Sequence, residues 1–255
     1  MIKLSDVLVD RAKTPFAVRR NKPSVIWRAT GENQAVYRIG VAKSRYKAIN
    51  GQFDVYDSGV TESGETIGHA VGAELEPCTT YYVSVTIYGE NGGEDSAVVR
   101  FRTELSAEDW KGYWTFMPLN SVGGSSLYRK NIVLPDEPVE EAFAYCAGIG
   151  CHELFVNGKK ADDRLFSPVN SDYEKRIYYT VYELTGRLVA GENVIGVELA
   201  PWWYGGKKLL FQLYVTLKNG ETLEFHSSAG DGWWERGGAV KECSVYDGEF
   251  CDGRV

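Results

Sequence analysis

Residues 81–88, YYVSVTIY, alternate without a break: Tyr81, Val83, Val85 and Ile87 fall on one side, Tyr82, Ser84, Thr86 and Tyr88 on the other. A repeat of two is the period of a strand with one buried face, and a helix cannot reproduce it because its apolar stripe recurs every three to four residues. Tyr37, Ile39 and Val41 repeat the pattern upstream, and Val99, Phe101 and Thr103 repeat it downstream, with Gly89 to Gly93 as the turn between. In the second half, AFAYCAGIGCHELFVNGKK reads as two strands and a hairpin at Asn157-Gly158, the dipeptide best able to take positive φ at both turn positions. A second such hairpin is expected at Asn219-Gly220, where Phe211, Leu213, Val215 and Leu217 share a face of one arm and Leu223 and Phe225 share a face of the other. The one helix-like piece is VYELTGRLVAG, with Val181, Leu184 and Leu188 spaced for a single face and Gly191 as its stop.

The expected fold class is therefore all-β. Charged and small residues from Glu104 to Lys111 separate two strand-rich halves and read as a linker, which gives two β-sandwich domains over residues 1–106 and 107–255. The pattern Leu75-x-Pro77-x-Thr79-x-Tyr81-x-Val83-x-Val85 resembles the strand after the corner of fibronectin type III domains, with Trp27 as the matching core tryptophan. The second half, with one helical turn among many strands, reads as jelly-roll-like.

A formal charge of −7 excludes binding driven by phosphates, because nucleic-acid binders need a clustered cationic surface. A neutral partner such as a carbohydrate fits better. No apolar run approaches the roughly 18 residues of a membrane span, and the opening MIKLSDVLVDRAK lacks the apolar core of a signal peptide, so a cytoplasmic chain is expected. Cys78, Cys146, Cys151, Cys243 and Cys251 are odd in number and lack the C-x-x-C spacing, which suits reduced thiols better than a disulfide framework or zinc site.

Gly148-Ile149-Gly150-Cys151-His152-Glu153 lacks the third glycine of a dinucleotide loop and runs on as a strand, not a helix. Cys151 and His152 are strand neighbours and point to opposite faces, so they cannot act as a nucleophile–base dyad. A glycosidase needs two carboxylates across one sugar; among Glu198, Asp231, Glu235 and Glu249 nothing marks a pair, and no catalytic residue is assigned. Two segments suit a sugar. Trp202, Trp203 and Tyr204, beside Gly205 and Gly206, offer flat platforms for the C–H faces of a ring, or alternatively fill the core. Asp162, Asp163, Asn170 and Asp172 put hard oxygens in one loop. The three aspartates are candidate calcium ligands and Asn170 a candidate sugar contact, although Asp and Asn also serve loops by bonding their own backbone.

An ordered series across residues 110–252 resembles the N-terminal β-domain of bacterial α-L-rhamnosidases. It runs through Tyr128-Arg129-Lys130, Glu153-Leu154-Phe155-Val156-Asn157-Gly158-Lys159, Ser167-Pro168, Tyr179-Thr180-Val181-Tyr182, Gly191-Glu192-Asn193-Val194-Ile195-Gly196, Trp203-Tyr204 and Tyr246-Asp247-Gly248-Glu249. The first half resembles the fibronectin-like domain that precedes it in that family. Ala200-Pro201-Trp202-Trp203-Tyr204 departs from the family's Gly-x-Gly-Trp-Tyr segment, which puts contacts by that loop in question. The resemblance implies a glycoside hydrolase whose catalytic acids sit in a helical barrel absent from these residues. The chain then supports that catalytic domain as its partner and is a candidate to bind L-rhamnose, with calcium as the cofactor some members use; a spacer without ligand is the alternative.

Overall fold

The computed structural model describes residues 1–116, 123–201, 207–228 and 232–254. Of these described residues 53% are strand and 3% helix, and the chain divides into two compact units, Met1–Asp109 and Trp110–Val255. Among the described residues no helix is long and apolar enough to cross a membrane.

In the first unit the strands are β1 (Lys3–Val9), β2 (Ser24–Thr30), β3 (Gln34–Ala42), β4 (Tyr56–Asp57), β5 (Thr61–Glu62), β6 (His69–Ala70), β7 (Thr80–Gly89) and β8 (Glu94–Arg102), with a short helix α1 (Arg45–Ile49) after β3. One sheet runs β1-β2-β6 and the other β4-β3-β7-β8, with β5 also on β3. The alternation in YYVSVTIY sets the register: Ile39 faces Val85 and Val41 faces Val83, and these residues pack on Val25 and Trp27 of the opposite sheet. The buried Trp27 indole donates to Gln34 Oε1 at 2.8 Å, which removes the cost of leaving that N–H dry. Tyr81 closes the corner before β7. Its ring is 1% exposed and its hydroxyl accepts the Glu76 amide at 3.0 Å. Tyr81→Phe is expected to cost about 1–2 kcal/mol, the loss of one buried hydrogen bond and its orphaned donor; a denaturant midpoint shift with unchanged slope checks it.

The second unit holds β9 (Thr115–Phe116), β10 (Ser126–Leu134), β11 (Val139–Ile149), β12 (Cys151–Val156), β13 (Lys159–Lys160), β14 (Tyr179–Glu183), β15 (Gly191–Ala200), β16 (Lys208–Leu217), β17 (Thr222–His226), β18 (Trp233–Gly237), β19 (Val240–Ser244) and β20 (Gly248–Cys251). Two sheets, β13-β12-β15-β10-β18 and β14-β11-β16-β17, enclose one core, and β19-β20 stands as a separate hairpin. Gly150 carries the chain from one sheet to the other at φ +128°, and a Cβ there would meet the Ala200 carbonyl oxygen at 2.2 Å, so no other residue fits. Asn157 and Gly158 both take positive φ, 51° and 78°, as a two-residue hairpin requires.

Two expectations need correction. The hairpin at Asn219-Gly220 forms, but only Gly220 of that pair has positive φ (+90°). Leu217 N bonds to Glu221 O at 2.8 Å, so the loop is three residues long with glycine in the left-handed place. The helix-like segment VYELTGRLVAG contains no helix: Tyr179–Glu183 is strand β14, paired along β11 with Ala144 opposite Tyr182. Thr180, Val181 and Tyr182 are β-branched or aromatic and gain a full ladder there, which one isolated turn cannot match. Leu184 and Leu188 are buried as their spacing suggested. Asn193 holds the following turn by accepting Val189 N at 2.9 Å and donating to Val189 O at 2.7 Å, and Gly191 opens β15 instead of stopping a helix.

Candidate functional site

Trp202, Trp203 and Tyr204 lie outside the described residues. The acidic loop is described, and its oxygens are taken up locally. Asp162 accepts the Arg164 amide at 3.0 Å and pairs with the Arg164 guanidinium, which in turn donates to Val181 O and lies over the Tyr182 ring at 4.7 Å. Asp172 holds Lys175 Nζ at 2.8 Å and the Glu174 amide at 3.2 Å. Asn170 Oδ1 accepts the amide of Ser171 at 3.0 Å, and Asp163 is exposed. The structure does not gather Asp162, Asp163 and Asp172 into one site: among the described residues no group of three His, Cys, Asp or Glu is placed to hold a metal.

A wide concavity lies elsewhere, on the outer face of the sheet β13-β12-β15-β10-β18, with a volume of about 870 Å³. Strand pairing lines up its floor. Trp234 of β18 sits opposite Arg129 of β10, Arg129 opposite Gly196 of β15, and Gly196 opposite Phe155 of β12. One row across four strands thus reads tryptophan, arginine, glycine, phenylalanine. Gly196 has no side chain to fill the space between the two aromatic ends, and a Cβ there would touch only Phe155 Cβ at 3.6 Å and Tyr128 O at 3.9 Å. The next row reads Arg236, Leu127, Glu198, Glu153. Asn131 lies beside Val194 on the other flank.

The pleat decides which tryptophan is available. Trp233 points inward, edge-on to Phe211 at 5.4 Å, and donates to His226 O. Trp234 points outward and is 75% exposed. A flat indole over a groove this size is the usual platform for a pyranose ring, with polar side chains at its rim for the hydroxyls. The same pleat separates the acids. Glu198 faces the groove and accepts from Ser125 Oγ at 2.7 Å, whereas Glu235, opposite Tyr128, faces inward, and burial holds its carboxyl above the ordinary range. Carboxylates on opposite faces of one sheet cannot flank the same glycosidic bond. Asp231 lies outside the described residues, and Glu249 sits on the β19-β20 hairpin near Cys243 Sγ.

Both units have relatives. Residues 4–107 match the family described as Rha78A-like, N-terminal immunoglobulin domain, and residues 137–255 match the alpha-L-rhamnosidase N-terminal domain. A Formosa agariphila α-L-rhamnosidase is 27% identical over 97% of this chain and 31% of its own length. A Dictyoglumus thermophilum α-L-rhamnosidase structure aligns with TM-score 0.88 and 28% identity over 98% of this chain and 31% of that one. A Streptomyces avermitilis α-L-rhamnosidase complexed with L-rhamnose aligns over the whole chain and 43% of its own with TM-score 0.84 at 16% identity, which speaks to fold. The chain spans under a third of the length of the first two relatives. The two domains of this chain belong to the N-terminal domain families of the α-L-rhamnosidases.

Proposed function

We propose that the chain serves as the N-terminal accessory region of an α-L-rhamnosidase, supporting its catalytic domain, and that its second domain holds carbohydrate on the outer sheet face. The observation that carries the sugar reading is the row Trp234, Arg129, Gly196, Phe155: an exposed platform, an open glycine floor and a second aromatic wall in one groove. L-rhamnose is the first ligand to test because it is the sugar in the Streptomyces avermitilis complex. Support for docking against the rest of an enzyme comes from exposed apolar side chains away from the groove: Leu165, Phe166 and Val169 on the acidic loop, and Tyr246 and Phe250 on the β19-β20 hairpin. Surfaces of that kind are commonly covered by another domain.

A single sugar ring buries little area, so binding is expected near ~1 mM. Calorimetric titration of L-rhamnose into the chain should give such an isotherm, unchanged by chelator, and Trp234→Ala should abolish it. A signal that disappears with chelator would move the site to Asp162, Asp163 and Asp172 with calcium as cofactor. No heat under conditions sensitive to millimolar affinity would leave the chain a spacer. The chain alone is expected to leave an aryl α-L-rhamnoside intact, and hydrolysis lost on changing one of its acids would overturn the accessory role.

A further inference from the structure

Two guanidiniums flank the exposed indole. Arg129 stands directly opposite Trp234 on the neighbouring strand, and Arg236 follows it two residues along β18 on the same face. Both line the groove. Among the described residues neither has a carboxylate partner; Arg129 Nε reaches only the neutral Asn131 Oδ1, at 3.2 Å. Four other surface arginines, by contrast, are paired. Arg19 is held by Asp10, Arg38 by Asp57, Arg164 by Asp162 and Arg254 by Asp252.

Of the acids at the groove, Glu235 turns to the inner side of the sheet, and the other two have partners of their own. Glu198 takes the Ser125 hydroxyl and is separated from Arg236 by Leu127 in the same row. Glu153 pairs with Lys160. A chain of formal charge −7 thus keeps two unpaired planar cations beside its one exposed platform in this groove. A neutral sugar needs hydroxyl partners but gives a guanidinium no charge to meet, whereas a carboxylate matches its fork of donors in a two-bond pair.

We infer that this face selects an acidic sugar, with a uronic acid ring on Trp234 and its carboxylate between Arg129 and Arg236. The inference rests on the sugar-binding reading above and deepens it. The probes are an L-rhamnosyl-D-galacturonate disaccharide and the same disaccharide with its carboxyl group reduced to the alcohol, each titrated into the full chain. The acidic form is expected to bind about tenfold more tightly at low salt, and added salt should narrow the gap. Arg129→Gln and Arg236→Gln should each bring the ratio of the two affinities towards one. Both arginines are exposed, so these variants should melt with the parent chain. Trp234→Ala should lose both ligands. Equal affinity for the two forms, or a ratio untouched by either arginine change, overturns the inference and leaves the sugar reading standing. Binding of neither form overturns both.

Discussion

Replacing Phe211 by alanine should remove about 3–5 kcal/mol from the stability of the second domain, the range for deleting a buried aromatic ring that its surroundings cannot fill. Phe211 is fully buried in β16, opposite Cys146 of β11, and meets Trp233 of the other sheet edge-on at 5.4 Å. It sits in the core that both sheets share, so its loss leaves a void between two layers and not at a yielding rim. Native-state hydrogen exchange resolves the effect by domain. Amides of β11 and β16 should lose protection by that amount while those of β3 and β7 hold theirs. A loss below about 1 kcal/mol in the second domain would mean that the sheets do not close on this ring as described.

How far the sequence reached follows from the range over which each signal acts. Alternation is local, so Tyr81, Val83, Val85 and Ile87 marked their strand and its buried face directly, and all four are buried. Turn chemistry was legible where both residues obeyed it, at Asn157-Gly158, and half legible at Asn219-Gly220, where the dipeptide fixed the place of the turn but not its length. Helical spacing in VYELTGRLVAG was real as a burial pattern and misleading as secondary structure, because the competing gain came from pairing with β11, more than thirty residues upstream. The groove shows the same limit more sharply. Trp234, Arg129, Gly196 and Phe155 come from four strands spread over about a hundred residues, and only the register of three ladders makes them neighbours. One local signal was present: adjacent tryptophans on a strand must face opposite ways, so one of Trp233 and Trp234 had to be on the surface. The acidic loop drew attention by composition, yet Asp162 and Asp172 are occupied by Arg164 and Lys175, both within three residues of them.

Acid should weaken the second domain well before its carboxylates titrate, through His152. The ring is 2% exposed on the inner face of β12, beside Tyr182, and among the described residues neither of its nitrogens has a hydrogen-bond partner. Burial first, and the charge of Arg164 second, push its pKa from the ordinary 6.5 down to about 3, with Asp162 opposing weakly. The folded chain therefore refuses a proton that the unfolded chain accepts. Because the unfolded state binds more protons over this interval, stability rises with pH: the contribution is complete above about 6.5 and falls by up to about 1.4 kcal/mol for each unit of acidification below it. Between pH 6.5 and 5 most carboxylates are still ionised, and the comparison with a variant at position 152 separates this ring from His69, His226 and the buried Glu235. Denaturant unfolding of the parent chain and of His152→Leu across it should show the parent losing about 1.5–2 kcal/mol more than the variant. Leucine keeps the site apolar and filled, and a side chain that cannot be protonated removes the slope even where it shifts the absolute stability. Parallel pH dependences would show that His152 gains a proton while folded, which a ring sealed in the core without a partner cannot do at that cost.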